Sequence, residues 1–109
     1  MNGSALAEKL RKLGNYGLAF TKHAELRLVQ RQIDKSLAIS HIRNPDCLRL
    51  AERLFIGECE EKYKLWFVPF NRIAYIYVIV INHSRQKIIV KTAIKQRLAW
   101  QKRVEKNAK

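Results

Sequence analysis

The sequence predicts an α+β fold, an N-terminal helix hairpin packed on a mostly antiparallel four-stranded sheet and followed by a C-terminal basic helix. Three observations carry this. First, Arg72-Ile-Ala-Tyr-Ile-Tyr-Val-Ile-Val-Ile-Asn82 is apolar or aromatic from Ile73 to Ile81, so an extended strand here buries both faces and must be central. A membrane span needs about 18 or more such residues in a row, so the stretch is too short for one. Second, Asn82-His83-Ser84-Arg85 reads as a tight turn into a strand over 86–94, with Ile88, Val90 and Ile94 on one face. Third, helical patterns with caps fill the chain ahead of the strands.

Taken in order, Ser4 caps a short helix over 5–13 with a Leu6, Leu10, Leu13 stripe and Gly14 as its stop. That helix is either core cover or an arm for a partner. Thr21 caps a helix over 22–31, where Leu26, Val29 and Ile33 gather on one face. Asp34 caps the next helix, which runs to about Arg43 and buries Leu37, Ala38 and Ile42. His41 and Arg43 lie near its end, where cations suit the helix dipole. Asn44-Pro45-Asp46 ends it, because the residue before proline is pushed out of the helical region. A strand over 47–55 follows, then a loop with Gly57, Glu58, Glu60 and Glu61, three carboxylates expected to be solvated. The strand over 63–70 alternates Tyr63, Leu65 and Phe67 against Lys64 and Trp66, and Pro69 suggests a sheet edge at its end. The span 95–106 has helical composition with Leu98, Trp100 and Val104 as apolar anchors among cations.

The 109 residues suit one domain, 1–109, with 1–19 as a helical extension. The balance of 22 Lys and Arg against 9 Asp and Glu gives +13, and the pI near 10.2 makes a polyanion the expected partner. An anionic membrane surface would want a basic amphipathic helix with aromatics on its other face, and the N-terminal segment lacks them. Cys47 and Cys59 form no zinc-ligand spacing with each other or with a histidine, so no metal and no cofactor is expected. The first residues show no apolar signal region, which leads to an expectation of a cytoplasmic protein.

The residues that carry chemistry concentrate in two places. His23, Arg27 and Arg31 fall at i, i+4 and i+8 and share one helix stripe. Lys91, Lys95, Arg97, Lys102 and Arg103 follow on the closing strand and tail as a nucleic-acid-binding set. The stripe is open to two readings. In one it is an acid/base imidazole beside two phosphate-clamping guanidiniums. In the other it is scaffold, with the arginines bonded to the Asn44-Pro45-Asp46 turn and Asp46 as their ion-pair partner. His83 is expected to be solvated.

Phe20-Thr-Lys-His-Ala-Glu-Leu-Arg-Leu-Val-Gln-Arg-Gln-Ile33 resembles the opening of a small uncharacterised-domain family in the RelE/ParE-like toxin superfamily, which reads roughly F-T-x-H-A-x-x-R-x-x-x-R-G-I. Asn44-Pro45-Asp46 matches that family's turn, and Val90-Lys-Thr-Ala93 resembles its closing strand. Gln32 stands where the family has glycine, and the N-terminal extension lies outside the pattern. The resemblance implies a toxin-like, metal-independent endoribonuclease or translation inhibitor, related to RelE and BrnT. Its partners would be RNA, including ribosome-bound mRNA, and an acidic antitoxin. ParE-like relatives act on DNA gyrase instead, and the alternative is a non-catalytic nucleic-acid-binding module of the same fold.

Overall fold

A computed structural model describes residues 3–70 and 72–97. The order is α1 (Gly3–Lys12), β1 (Gly17–Phe20), α2 (Lys22–Gln30), α3 (Lys35–Arg43), a 3₁₀ turn (Pro45–Cys47), β2 (Leu48–Ile56), β3 (Glu60–Phe70), β4 (Ile73–Asn82) and β5 (Lys87–Arg97). The strands form one mixed sheet in the order β1-β5-β4-β3-β2. β2 to β5 make the antiparallel meander expected from short turns, and β4 is central, as its two-sided apolar run requires.

The fifth strand was not foreseen. Gly17-Leu-Ala-Phe20 pairs parallel with the start of β5, Gly17 opposite Lys87 and Phe20 opposite Val90. So short a segment has no periodicity of its own, and it is held by the open edge of β5. Pro69 does lie at a local sheet edge, because the β2–β3 ladder ends with Leu48 opposite Phe67 and the β3–β4 ladder is irregular between Phe67 and Phe70. One further correction concerns the end of the sheet. Residues 95–97, expected to open a C-terminal helix, extend β5, where Tyr75 pairs with Lys95 and Ile73 with Arg97. The remainder of that expected helix lies outside the described residues.

All three helices contribute to one core on one face of the sheet. Leu6, Ala7 and Leu10 of α1, Ala24 and Leu28 of α2, and Ala38 and Ile42 of α3 join Tyr63, Leu65, Phe67, Tyr77, Ile79, Ile81, Ile88 and Val90. Each fully buried aliphatic side chain there contributes about 1.5–3 kcal/mol. α1 is therefore core cover, and Gly3 lets it sit against the β2 backbone, since a Cβ there would lie 2.8 Å from the Leu48 carbonyl carbon. The opposite face of the sheet also buries Ala74, Ile76 and Val80.

α2 packs with a different face from the one the apolar spacing suggested. Ala24, Leu28 and Ile33 are buried, while Leu26 is 54% and Val29 76% exposed. The end of the helix accounts for Ile33 being inside. The Ile33 N–H donates to the Leu28 carbonyl at 2.8 Å and the Gln32 N–H to the Val29 carbonyl at 3.1 Å, with Gln32 at φ 55. This is a Schellman stop in which a non-glycine residue takes the left-handed position. Glycine would hold that conformation without a Cβ penalty. Among the described residues no helix is long and apolar enough to cross a membrane.

Candidate functional site

The N-terminus of α2 is fixed to the sheet by Thr21. Its N–H donates to the Val90 carbonyl at 3.1 Å, its hydroxyl donates to the Lys91 carbonyl at 3.3 Å, and the same oxygen accepts from the Ala24 N–H at 3.0 Å. This residue therefore caps the helix and places its first turn beside β5. The β4–β5 ladder shifts register there, with Val78 opposite Thr92 and Ile79 opposite Val90, so Lys91 is the extra residue of a bulge.

The expected cations fall as follows. His23 and Arg31 are exposed and Arg27 is half-buried. The Arg27 Nε donates to His23 Nε2 at 3.4 Å and an Arg27 terminal nitrogen to Gln30 Oε1 at 3.0 Å, so both contacts stay within α2. Lys91 is exposed at the bulge. Lys95 lies with its Nζ 5.8 Å from the Tyr75 ring centroid, and Tyr75 in turn lies 5.0 Å from the His41 ring. Lys95 is thus on the helix-bearing face, and strand alternation puts the exposed Arg97 on that face too. Lys102 and Arg103 lie outside the described residues.

The scaffold reading of the α2 stripe is overturned in its details. Asp46 is taken by Arg11 at 2.8 Å, and the chain near residue 14 is tied down by Arg43, which donates to the Gly14 carbonyl at 3.2 Å and the Tyr16 carbonyl at 2.8 Å. Neither Arg27 nor Arg31 bonds the Asn44-Pro45-Asp46 turn. Among the described residues, Arg31, Lys91 and Arg97 have no ion-pair partner.

Two polar clusters escaped the sequence reading. His41 was expected near the helix end as a cation suiting the dipole, yet it is 5% exposed, hydrogen-bonded through Nδ1 to the Tyr77 hydroxyl at 2.9 Å and stacked on Phe67. Burial lowers its pKa and raises that of Tyr77. Its position three residues after the buried Ala38 was the signal that it faces inward.

The second cluster centres on Glu61, expected to be solvated and in fact 7% exposed. Oε1 accepts from the Tyr63 hydroxyl at 2.5 Å and from the Lys9 ammonium, and Oε2 meets His83 Nε2 at 2.6 Å. His83 Nδ1 is 2.8 Å from the Tyr16 hydroxyl. Burial alone would raise the Glu61 pKa, but hydrogen bonds from Lys9, Tyr63 and His83 bring it down to about 2. Burial alone would lower the Lys9 pKa, and its contacts with Glu61 and Tyr63 leave it raised. Burial and the adjacent carboxylate raise that of Tyr63. Alternation was the available signal, for Glu61 is in phase with Tyr63, Leu65 and Phe67, the inward residues of the same strand.

Among the described residues no group of three or more His, Cys, Asp or Glu side chains could hold a metal ion. Comparison with protein families, with curated proteins and with solved structures finds no match to this chain.

Proposed function

With no matching relative to draw on, we propose that the chain is a toxin-like, metal-independent endoribonuclease that holds RNA phosphates along α2 and the far half of β5. One observation carries this reading. Among the described residues, the side chains of His23, Arg27 and Arg31 make no hydrogen bond or ion pair beyond their own helix, whereas Lys9, Arg11, Lys35 and Arg43 are bonded into the fold. Cations that do no structural service, on a chain of charge +13, are available to an anionic ligand.

In this mechanism Arg27 leaves His23 for the scissile phosphate, where its fork and that of Arg31 bind two oxygens each. The freed His23 Nε2 takes the 2′-hydroxyl proton, and Lys91 and Lys95 offset the charge that builds on the pentacoordinate phosphorus. The proton held by His23 then goes to the departing 5′-oxygen. RNA, free or ribosome-bound, is the substrate class, an acidic antitoxin is the expected protein partner, and the cytoplasm is the expected compartment.

A second reading, a non-catalytic RNA- or DNA-binding module, draws on a specific observation. The Arg27 contact occupies the His23 nitrogen that a base needs, and the neighbouring Glu25 pairs with Lys35 at 2.9 Å and is not available to orient the imidazole. Incubation of the protein with RNA in EDTA separates the two. The nuclease reading expects cleavage that His23→Ala and Arg27→Ala abolish with the melting temperature nearly unchanged. Intact RNA with a salt-sensitive gel shift selects the binding module. Intact RNA without a shift refutes both and leaves a protein target such as a topoisomerase.

A further inference from the structure

We propose that Tyr16, His83 and Glu61 form a second reactive site, independent of the α2 surface, in which the Tyr16 hydroxyl is a nucleophile toward phosphodiesters. The geometry is a nucleophile, a base and a group that orients the base. The Glu61 carboxylate can only accept, so at 2.6 Å it fixes the proton of a neutral His83 on Nε2. That leaves the Nδ1 lone pair facing the Tyr16 hydroxyl 2.8 Å away, and the phenol donates to it. Glu61 cannot turn aside, because its other oxygen is held by Tyr63 and Lys9 and the side chain is buried. The Tyr16 and His83 rings meet edge to face, with centroids 5.7 Å apart, and both residues are half-exposed, so the relay ends at solvent.

The surroundings suit an anionic substrate. The exposed Lys87 pairs across from Gly17, and the exposed Arg85 lies in the same β4–β5 turn as His83. The site is also separate from the α2 surface. Tyr16 precedes the residue opposite Lys87 at the start of β5, and Lys91, beside the first turn of α2, lies four residues along the strand, roughly 13 Å away at about 3.3 Å per residue.

The step balances as a transesterification. The Tyr16 oxygen bonds to phosphorus as its proton passes to His83 Nδ1, a phosphorus–oxygen bond to the leaving alcohol breaks, and that alkoxide takes the proton from His83. The product is a phosphotyrosyl protein and a free hydroxyl. Glu61 is a positioning residue here, since it touches only the base.

The test uses the full chain with bis(p-nitrophenyl) phosphate, whose departing nitrophenolate is coloured, followed by mass spectrometry of the peptide containing Tyr16. The expected result is one nitrophenolate released rapidly per chain, an aryl phosphate on Tyr16, and loss of both in Tyr16→Phe with the far-UV spectrum unchanged. His83→Gln, which keeps Tyr16, is expected to slow labelling on the order of a hundredfold. Glu61→Gln is expected to slow labelling while leaving it on Tyr16, and Glu61→Asp, which keeps the carboxylate, to restore part of the rate. His23→Ala is expected to have no effect, which separates this site from the α2 reading. No adduct, an adduct on another residue, or labelling that survives both Tyr16→Phe and His83→Gln overturns the proposal.

Discussion

Acid should unlatch α1 through one carboxylate, and the size of the effect follows from the contacts of Glu61. Its pKa falls from an ordinary 4.5 to about 2 in the fold, so the native state keeps this group ionised where the unfolded chain protonates it. The stability it contributes is therefore complete above about pH 5 and is lost as pH drops from about 4.5 toward 2. At about 1.4 kcal/mol per pH unit the gap corresponds to about 3 kcal/mol. The partly exposed Lys9 reduces the realised value, because solvent screens its share of the interaction. Urea unfolding of the native chain and of Glu61→Gln, at several values between about pH 7 and pH 2.5, isolates the effect, since the shifted groups that depend on Glu61, Lys9 and Tyr63, both titrate well above this range. The native chain is expected to lead by about 2–3 kcal/mol at neutral pH, with the lead shrinking to near zero at the acid end. A difference that stays constant with pH would refute the reasoning, since it would mean that the glutamine's packing and not the lost charge sets the cost.

Three more outcomes follow from particular contacts. Gln32→Gly is expected to raise unfolding stability by about 0.5–1 kcal/mol, because φ 55 costs a side chain with a Cβ more than it costs glycine, and a thermal melt measures it. His41 is held neutral by burial, with a folded pKa below its ordinary 6.5, so the unfolded chain binds the proton more readily. Stability should therefore decline as pH falls below about 6.5, at up to about 1.4 kcal/mol per unit, and His41→Phe paired with Tyr77→Phe should remove that slope in urea titrations. Gly3→Ala forces a Cβ into the Leu48 carbonyl and should cost about 1–3 kcal/mol, seen as a lowered urea midpoint and as faster amide exchange in α1.

Much of the fold was legible because it depends on patterns along the chain. The run Ile73–Ile81 announced a central strand, since nothing but two-sided burial accommodates so many consecutive apolar side chains. Thr21 and Asp34 announced helix starts because an N-cap is a local hydrogen bond, and both side chains make it. Local signals failed where a distant partner decided the outcome. Leu26 and Val29 have core-like chemistry, yet α2 turns Ala24 and Leu28 inward and leaves those two exposed. Lys95 to Arg97 have helix-like composition, yet they continue β5 because Ile73 and Tyr75 offer them a ladder.

The candidate sites divide along the same line. The amino-acid order by itself determined the positive charge, the shared stripe of His23, Arg27 and Arg31, and the polyanion as an expected partner, because charge and helical spacing do not depend on what lies across the fold. Only the tertiary structure decided that Asp46 goes to Arg11, leaving the α2 arginines unclaimed by that turn, and that Tyr16, Glu61 and His83 meet at all. Those three come from the segment before β1, the start of β3 and the β4–β5 turn. Hydrogen bonds between groups so far apart in sequence exist only once the strands have paired, so no spacing along the chain encodes them.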